Sequence, residues 1–391
     1  MFKVRKATTA GFTLVEMLVV IAIIGVLVSL LIPTIGTALR NAKNAVIVLD
    51  INQLSSALET YKQTYGDYPP DFSSRNVVIQ HLAKAFPNIS AQEATTVTNI
   101  FWINPAAAAG AAGYDAAYID SAEALVFWLG GLSKDATRPF TGQGGPLKIV
   151  TVGTVQYAAY NQDREAPLFD FEDARLNLGL VDPTAPNTSD LNGQAMSLDE
   201  RDFHGFAATA FVNDPFPHYL PEGQEVPYVY FDSRTYDYGT NGQFANLFSR
   251  LLTDDILDNG AIDGSYDPNK SFVTEATGVA RPMKTDQVDA DYYNDAAVAN
   301  FHPNAFYYAN RDTFQIICAG LDDHFGHDEL LSTPSAGWGN AVLWRYPSGL
   351  PFHELSLPWT TPSATKDRLI HETRRDNITN FSDGILENGL P

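Results

Sequence analysis

The sequence predicts an α+β protein in which one very long amino-terminal helix leads into a globular head built around an antiparallel sheet. Three observations predict it. From Phe12 to Ile32 run 21 residues whose one charge is Glu16, enough at ~1.5 Å per residue to cross ~30 Å of hydrocarbon. Apolar residues then recur at helical spacing as far as Tyr65. Beyond Pro70, short helical patterns and short runs rich in Val, Ile, Thr and Tyr are separated by turn-forming residues, the pattern of a mixed head. The chain divides accordingly into a leader at 1–11, a transmembrane and stem helix at 12–66, and a head at 67–391 with long insertions.

The leader carries Lys3, Arg5 and Lys6 and ends at Gly11. An ordinary secretory signal places its apolar region before a small-residue cleavage site and is then removed. Here the change of character precedes the apolar run, so a cut at Gly11 strips the basic leader and keeps the helix. Positive charge before the run and almost none just after it place the amino-terminal end in the cytoplasm and the bulk of the chain outside. A carboxylate near the membrane interior costs ~2.5–3.5 kcal/mol, so Glu16 is a residue retained for a partner.

Past the membrane run, Ile35, Leu39, Ala42, Val46 and Leu49 recur at steps of three and four. Leu54, Leu58, Tyr61 and Tyr65 do the same, with a slip between the two sets. This is an amphipathic helix. Gly25 and Pro33 are points at which it could loosen or kink. Gly66 and then Pro69-Pro70 stop it, glycine just past the end and proline soon after. Phe12 to Tyr65 as one helix is ~80 Å long, a rod that must protrude or pack in an assembly.

The block Gly11-Phe12-Thr13-Leu14-Val15-Glu16 resembles the processing site of type IV pilin-like proteins. The resemblance implies that a prepilin peptidase cuts after Gly11 and methylates the new amino terminus, Phe12. It also implies that Glu16 pairs with the terminal amine of a neighbouring subunit.

In the head, Asn76 to Phe86 reads as a short amphipathic helix before Pro87, with His81 at the surface or half-buried. Ala106 to Ala117 reads as a flexible alanine- and glycine-rich connection or a poorly anchored helix. Ser121 to Leu129 reads as a serine-capped helix stopped by Gly130-Gly131, its aromatic residues in the core. Strands are expected at Leu147 to Tyr157, Tyr228 to Phe231, Phe314 to Cys318 and Ala341 to Trp344, and a helix at Phe244 to Leu257. The polar stretches Asp163 to Pro227 and Asp258 to Tyr293 are expected as elaborations on a smaller sheet.

A second informative stretch is Cys318-Ala319-Gly320-Leu321-Asp322-Asp323-His324-Phe325-Gly326, together with Asp376-Asn377-Ile378-Thr379-Asn380-Phe381. The two resemble the calcium-binding carboxy-terminal loop of the type II secretion major pseudopilins, Ser-x-Gly-x-Asp-Gly-x-x-Gly followed by Asp-Asp-Ile-x-Asn-Trp. The resemblance puts Asp322, Asp376 and Asn377 at metal-ligating positions, and carboxylates with carbonyls are the hard oxygen donors that calcium takes. Three departures stand out: Cys318 at the serine, Asp323 at the turn glycine, and 49 residues, 327–375, between the halves. His324 and His327 offer a transition-metal alternative.

Composition narrows the function further. The formal charge is −21, and without the three leader cations 22 basic residues face 46 acidic ones. Such a surface repels nucleic acid and anionic lipid. The single cysteine, Cys318, allows no internal disulfide. Nucleophile-elbow, P-loop and dinucleotide-binding fingerprints are absent from the sequence, and no enzyme is expected. The resemblance implies a G-type pseudopilin of a type II secretion system, anchored in the inner membrane with its head in the periplasm. Its implied partners are the prepilin peptidase, copies of itself, other pseudopilins and the inner-membrane secretion platform. A minor pilin or adhesin of a type IV pilus, and a hydrolase or carbohydrate-binding protein on a pilin-type anchor, are the alternatives.

Overall fold

Thr13 begins the first helix and Gly66 ends it. In this computed structural model α1 spans Leu14–Tyr65, 52 residues without a break. The structure describes residues 13–101, 119, 121–152, 155–176, 178–180, 195–197, 216–236, 248–251, 276–280, 282–288, 306–325, 345–346, 377–382 and 384–386. Gly66 adopts φ 84° and its N–H closes the last turn on Lys62, the left-handed cap that glycine takes without a Cβ penalty. Helix α1 continues through Gly25 and Pro33. Beside the proline, the Thr34 hydroxyl donates to the Leu31 carbonyl at 2.8 Å and the Ser29 hydroxyl to Val26 at 2.7 Å.

The slip in the apolar pattern has a structural meaning. Ile35, Leu39, Val46 and Leu49 are exposed, whereas Ile47, Ile51, Leu54, Leu58 and Tyr61 are buried under the head. Two stripes on different helix faces serve different surroundings, and the change-over at 46–49 marks where the stem enters the head.

The remaining helices are α2 (Arg75–Ala85), α3 (Ala91–Phe101) and α4 (Ala124–Leu129). Helix α3 is additional to the sequence expectation. Its signal is Ser90 with Glu93 three residues later, and the Ser90 hydroxyl accepts from the Glu93 N–H at 3.1 Å. Helix α4 is shorter than expected. Ser121 does not cap it; its carbonyl instead accepts from the Tyr230 N–H at 2.9 Å, and Glu123 takes the cap position. His81, expected at or near the surface, is buried. Its Nε2 lies 2.9 Å from the Tyr61 hydroxyl among the rings of Tyr61, Trp128 and Phe86, and burial holds its pKa down at about 3, so the ring is neutral.

The strands are β1 (Leu147–Val152), β2 (Val155–Tyr160), β3 (Leu178–Leu180), β4 (Ala195–Ser197), β5 (Val229–Asp232), β6 (Phe248–Leu251), β7 (Ala276–Ala280), β8 (Lys284–Val288), β9 (Phe306–Tyr308), β10 (Phe314–Cys318), β11 (Arg345–Tyr346) and β12 (Ile378–Thr379). The run 147–157 is thus a hairpin, β1 with β2, rather than one strand. The Gly153-Thr154 pair between the halves is the sequence signal for a two-residue connection. The helix expected over Phe244 to Leu257 is overturned at 248–251, where β6 pairs antiparallel with β7; strand pairing outweighs local helical periodicity. The long polar stretches contribute β3, β4, β7 and β8. Among the described residues all pairs are antiparallel except β8 with β11. The expectations over Ala106 to Ala117 and Ala341 to Trp344 lie outside the described residues.

The central sheet has the order β12-β10-β5. Side chains alternate between its faces: Phe314, Ile316, Cys318, Tyr228 and Tyr230 join the core that holds α1, while Ile317, Val229 and Phe231 pack with Ala122 and Phe325. Gln315, on the second face, is fully buried but satisfied. It accepts from the Met283 N–H and donates to the Met283 and Ala309 carbonyls, as a buried side-chain amide requires.

Stem and head meet at a buried neck. Trp128 donates to the Pro70 carbonyl at 2.9 Å and the Tyr230 hydroxyl to Pro69 at 2.7 Å. The Asp71 carboxylate accepts from the Asp232 N–H, the Thr235 hydroxyl and Ser73. Arg234 links Asp67, the Tyr68 carbonyl and Asp232. Phe72 sits at φ 63°, rare for a bulky residue, and stacks on Trp128 with centroids 5.5 Å apart.

Candidate functional site

Gly11 and Phe12 lie outside the described residues, and the geometry begins at Thr13. The Glu16 Oε2 accepts from both the Thr13 N–H and the Thr13 hydroxyl at 2.7 Å, and the hydroxyl oxygen in turn accepts from the Glu16 N–H at 3.2 Å. This is a reciprocal capping box. It satisfies two donors that a helix start otherwise leaves open, and it places the acid in the first turn, where the helix dipole favours negative charge. Both bonds fall on one oxygen. Among the described residues Oε1 accepts none. Thr13 is the residue that the sequence reading passed over, and its signal is Thr-x-x-Glu ahead of an apolar run.

From Leu14 to Leu39 the helix exposes large apolar side chains on every face. It is the one helix among the described residues that is long and apolar enough to cross a membrane.

Residues 6–32 match the family described as the prokaryotic N-terminal methylation motif. The type II secretion system core protein G of Vibrio cholerae is 41% identical over 69 residues, 18% of this chain and 46% of that protein. That of Klebsiella michiganensis is 42% identical over 65 residues, 17% of this chain and 46% of the relative. The Escherichia coli K12 protein is 46% identical over 59 residues, 15% and 41% of the two chains. The stem is pilin-like. It resembles the amino-terminal region of the core protein G pseudopilins, and the chain spans less than half the length of these curated relatives. No solved structure matches the chain.

The second group of candidate residues lies where the stem enters the head. Strand β10 delivers the chain through a short 3-10 turn, Gly320–Asp322, to Asp323 at φ 57°. This is the left-handed geometry for which the resembling loop uses glycine, and aspartate tolerates it better than most residues. Asp322 Oδ1 accepts from the His324 N–H at 2.9 Å. Strand β12 returns antiparallel to β10, with Ile378 opposite Cys318. The two halves therefore meet despite the 49 residues between them.

Asn377 donates to the Phe325 carbonyl at 3.2 Å, so its amide reaches the loop, while its Oδ1 is buried without a hydrogen-bond partner. The Asn377 side-chain oxygen and the Asp322 carboxylate are hard oxygen donors of the type that calcium takes. Asp323 does not share that role. Its Oδ1 accepts from the Glu225 and Val226 N–H groups at 2.9 and 3.2 Å. Burial raises its carboxyl pKa, against the lowering pull of those two amides. Cys318 is buried in β10. Asp376 and His327 lie outside the described residues. No group of three or more His, Cys, Asp or Glu side chains able to hold a metal occurs among the described residues.

Proposed function

We propose that the chain is a pseudopilin of a type II secretion system, a structural subunit and not an enzyme. The observation that carries this is the methylation motif at 6–32 running directly into a stem whose apolar side chains have no cover of their own. Uncovered apolar area on this scale requires a bilayer or copies of itself. In this reading the prepilin peptidase cuts after Gly11 and methylates Phe12. The stem anchors the subunit in the inner membrane with the head in the periplasm, and the secretion platform draws subunits into a filament with other pseudopilins. Within the filament Glu16 takes the terminal amine of a neighbour, through the oxygen that Thr13 leaves open.

Gly11→Val is expected to leave the leader attached, as read by intact mass of the membrane-extracted protein. A processed Gly11→Val protein excludes the peptidase reading.

Calcium is part of the same proposal, with Asp322, Asn377 and Asp376 holding it and stiffening the head for packing. Full-length protein in detergent should melt at a higher temperature in calcium than in chelator, a stabilisation of about 2.7 kcal/mol at 100 times Kd. Identical melting curves in the two media exclude the site.

A further inference from the structure

Asp323 occupies a turn position where a glycine is easier to place, and it spends its carboxylate on a distant part of the chain. The amides it holds, Glu225 and Val226, follow a tight turn closed by the Gln224 N–H on the Pro221 carbonyl. That turn is the tip of a strap. The strap is closed at its base by the Tyr228 N–H on the Tyr219 carbonyl at 3.1 Å. From the base it reaches the stem: the Tyr228 hydroxyl donates to Asp50 of α1 at 2.9 Å. Arg175 bonds both Asp50 and the Leu220 carbonyl, and lies over the Tyr219 ring. The loop 320–325 and the stem helix are thus joined by two routes, direct packing and a hydrogen-bonded strap drawn from the long insertion.

We propose that Asp323 is a positioning residue that ties the 320–325 loop to the 219–228 strap, and through Tyr228 and Asp50 to the stem, so that the loop holds a divalent cation only as well as the strap holds the loop. The calcium arm of this proposal rests on the calcium reading above; the tie itself does not. Two effects with opposite signs make it decidable. Asp323→Gly relieves left-handed strain, which favours the folded protein. It also removes the acceptor for the Glu225 and Val226 amides, which disfavours it. If the aspartate merely fills a turn, glycine is neutral or better; if it is a tie, glycine is worse.

The experiment uses full-length protein in detergent micelles, with Asp323→Gly and Asp323→Asn beside the wild type, and calcium chloride alone as the probe. Hydrogen exchange over residues 219–228 is expected to quicken by ~10-fold or more in Asp323→Gly, the scale set by losing charge-assisted hydrogen bonds. Asp323→Asn keeps an acceptor oxygen and tolerates the left-handed turn, so it should restore most of that protection. The calcium concentration giving half the melting shift should rise several-fold in Asp323→Gly and return toward wild type in Asp323→Asn. Wild-type exchange over 219–228 in Asp323→Gly overturns the proposal, as does an unchanged calcium midpoint. Changed exchange in a protein whose wild type does not respond to calcium supports the tie and excludes only the calcium reading.

Discussion

Glu16→Ala inserts into the membrane at least as well as the wild type but yields few or no filaments. Insertion improves because a carboxylate ~2.5–3.5 kcal/mol unfavourable in the bilayer is gone. The helix start weakens slightly, since the Thr13 N–H and hydroxyl lose their acceptor while the Thr13 cap itself remains. That loss is small for a helix of 52 residues, so the monomer remains folded. Assembly suffers differently: in the filament proposed above, a neighbour's amine among apolar stems is left without an opposite charge, and an unpaired buried charge is strongly unfavourable. Sedimentation of sheared filaments, with membrane-fraction blots as the control, reads both effects. Filaments at wild-type yield from Glu16→Ala would remove the role assigned to this residue.

Trp128→Ala is expected to lower the stability of the head by about 3–5 kcal/mol. Trp128 is 1% exposed and packs against Phe72, Phe127, Tyr61, His81 and Phe140, so truncation leaves a cavity walled by α1, α2, α4 and the segments that carry Phe72 and Phe140. It also strips the Pro70 carbonyl of its donor. The damage falls at the neck, where Phe72 holds an unfavourable backbone conformation that the tryptophan ring helps to maintain. Trp128→Phe keeps a ring but not the N–H, and should cost about 1–3 kcal/mol through the unsatisfied carbonyl. Urea titration followed by tyrosine fluorescence and circular dichroism measures both. A Trp128→Ala midpoint within error of wild type would show that the neck is not built around this residue.

The stem was legible because its determinants lie in sequence order. Apolar content to Ile32, steps of three and four to Tyr65 and the stop at Gly66 are each short-range, as is the Thr13 cap, which only the structure brought out. Even the slip between the Leu49 and Leu54 sets was visible in the spacing, though its meaning, a change of face from neighbour to head, was not. Strands β5 and β10, largely apolar runs rich in aromatic and β-branched residues, were legible for the same reason. The β6 strand was not, because Phe248–Leu251 becomes a strand only by pairing with Ala276–Ala280. His81 was misjudged because burial depends on Tyr61 and Trp128 arriving from elsewhere.

The candidate loop divides along the same line. A turn at Asp323 was implied by the resemblance, in which a glycine stands at that position, and the structure has Asp323 in the left-handed conformation. The partner of its carboxylate could not be foreseen, since Glu225 lies 98 residues away and nothing in its own sequence marks its amide as a donor to that loop. The sequence alone determined a leader motif ending at Gly11, a membrane-length helix with one acid, and a head with a strand at Phe314 to Cys318. The tertiary structure decided that β12 returns to β10 across the 327–375 insertion, that Asn377 meets the 320–325 loop, and that Asp323 binds the strap instead. The physical reason is range: helix capping and apolar periodicity are settled within a few residues, whereas strand edges and buried side-chain amides take whatever partner the folded core brings within ~3 Å.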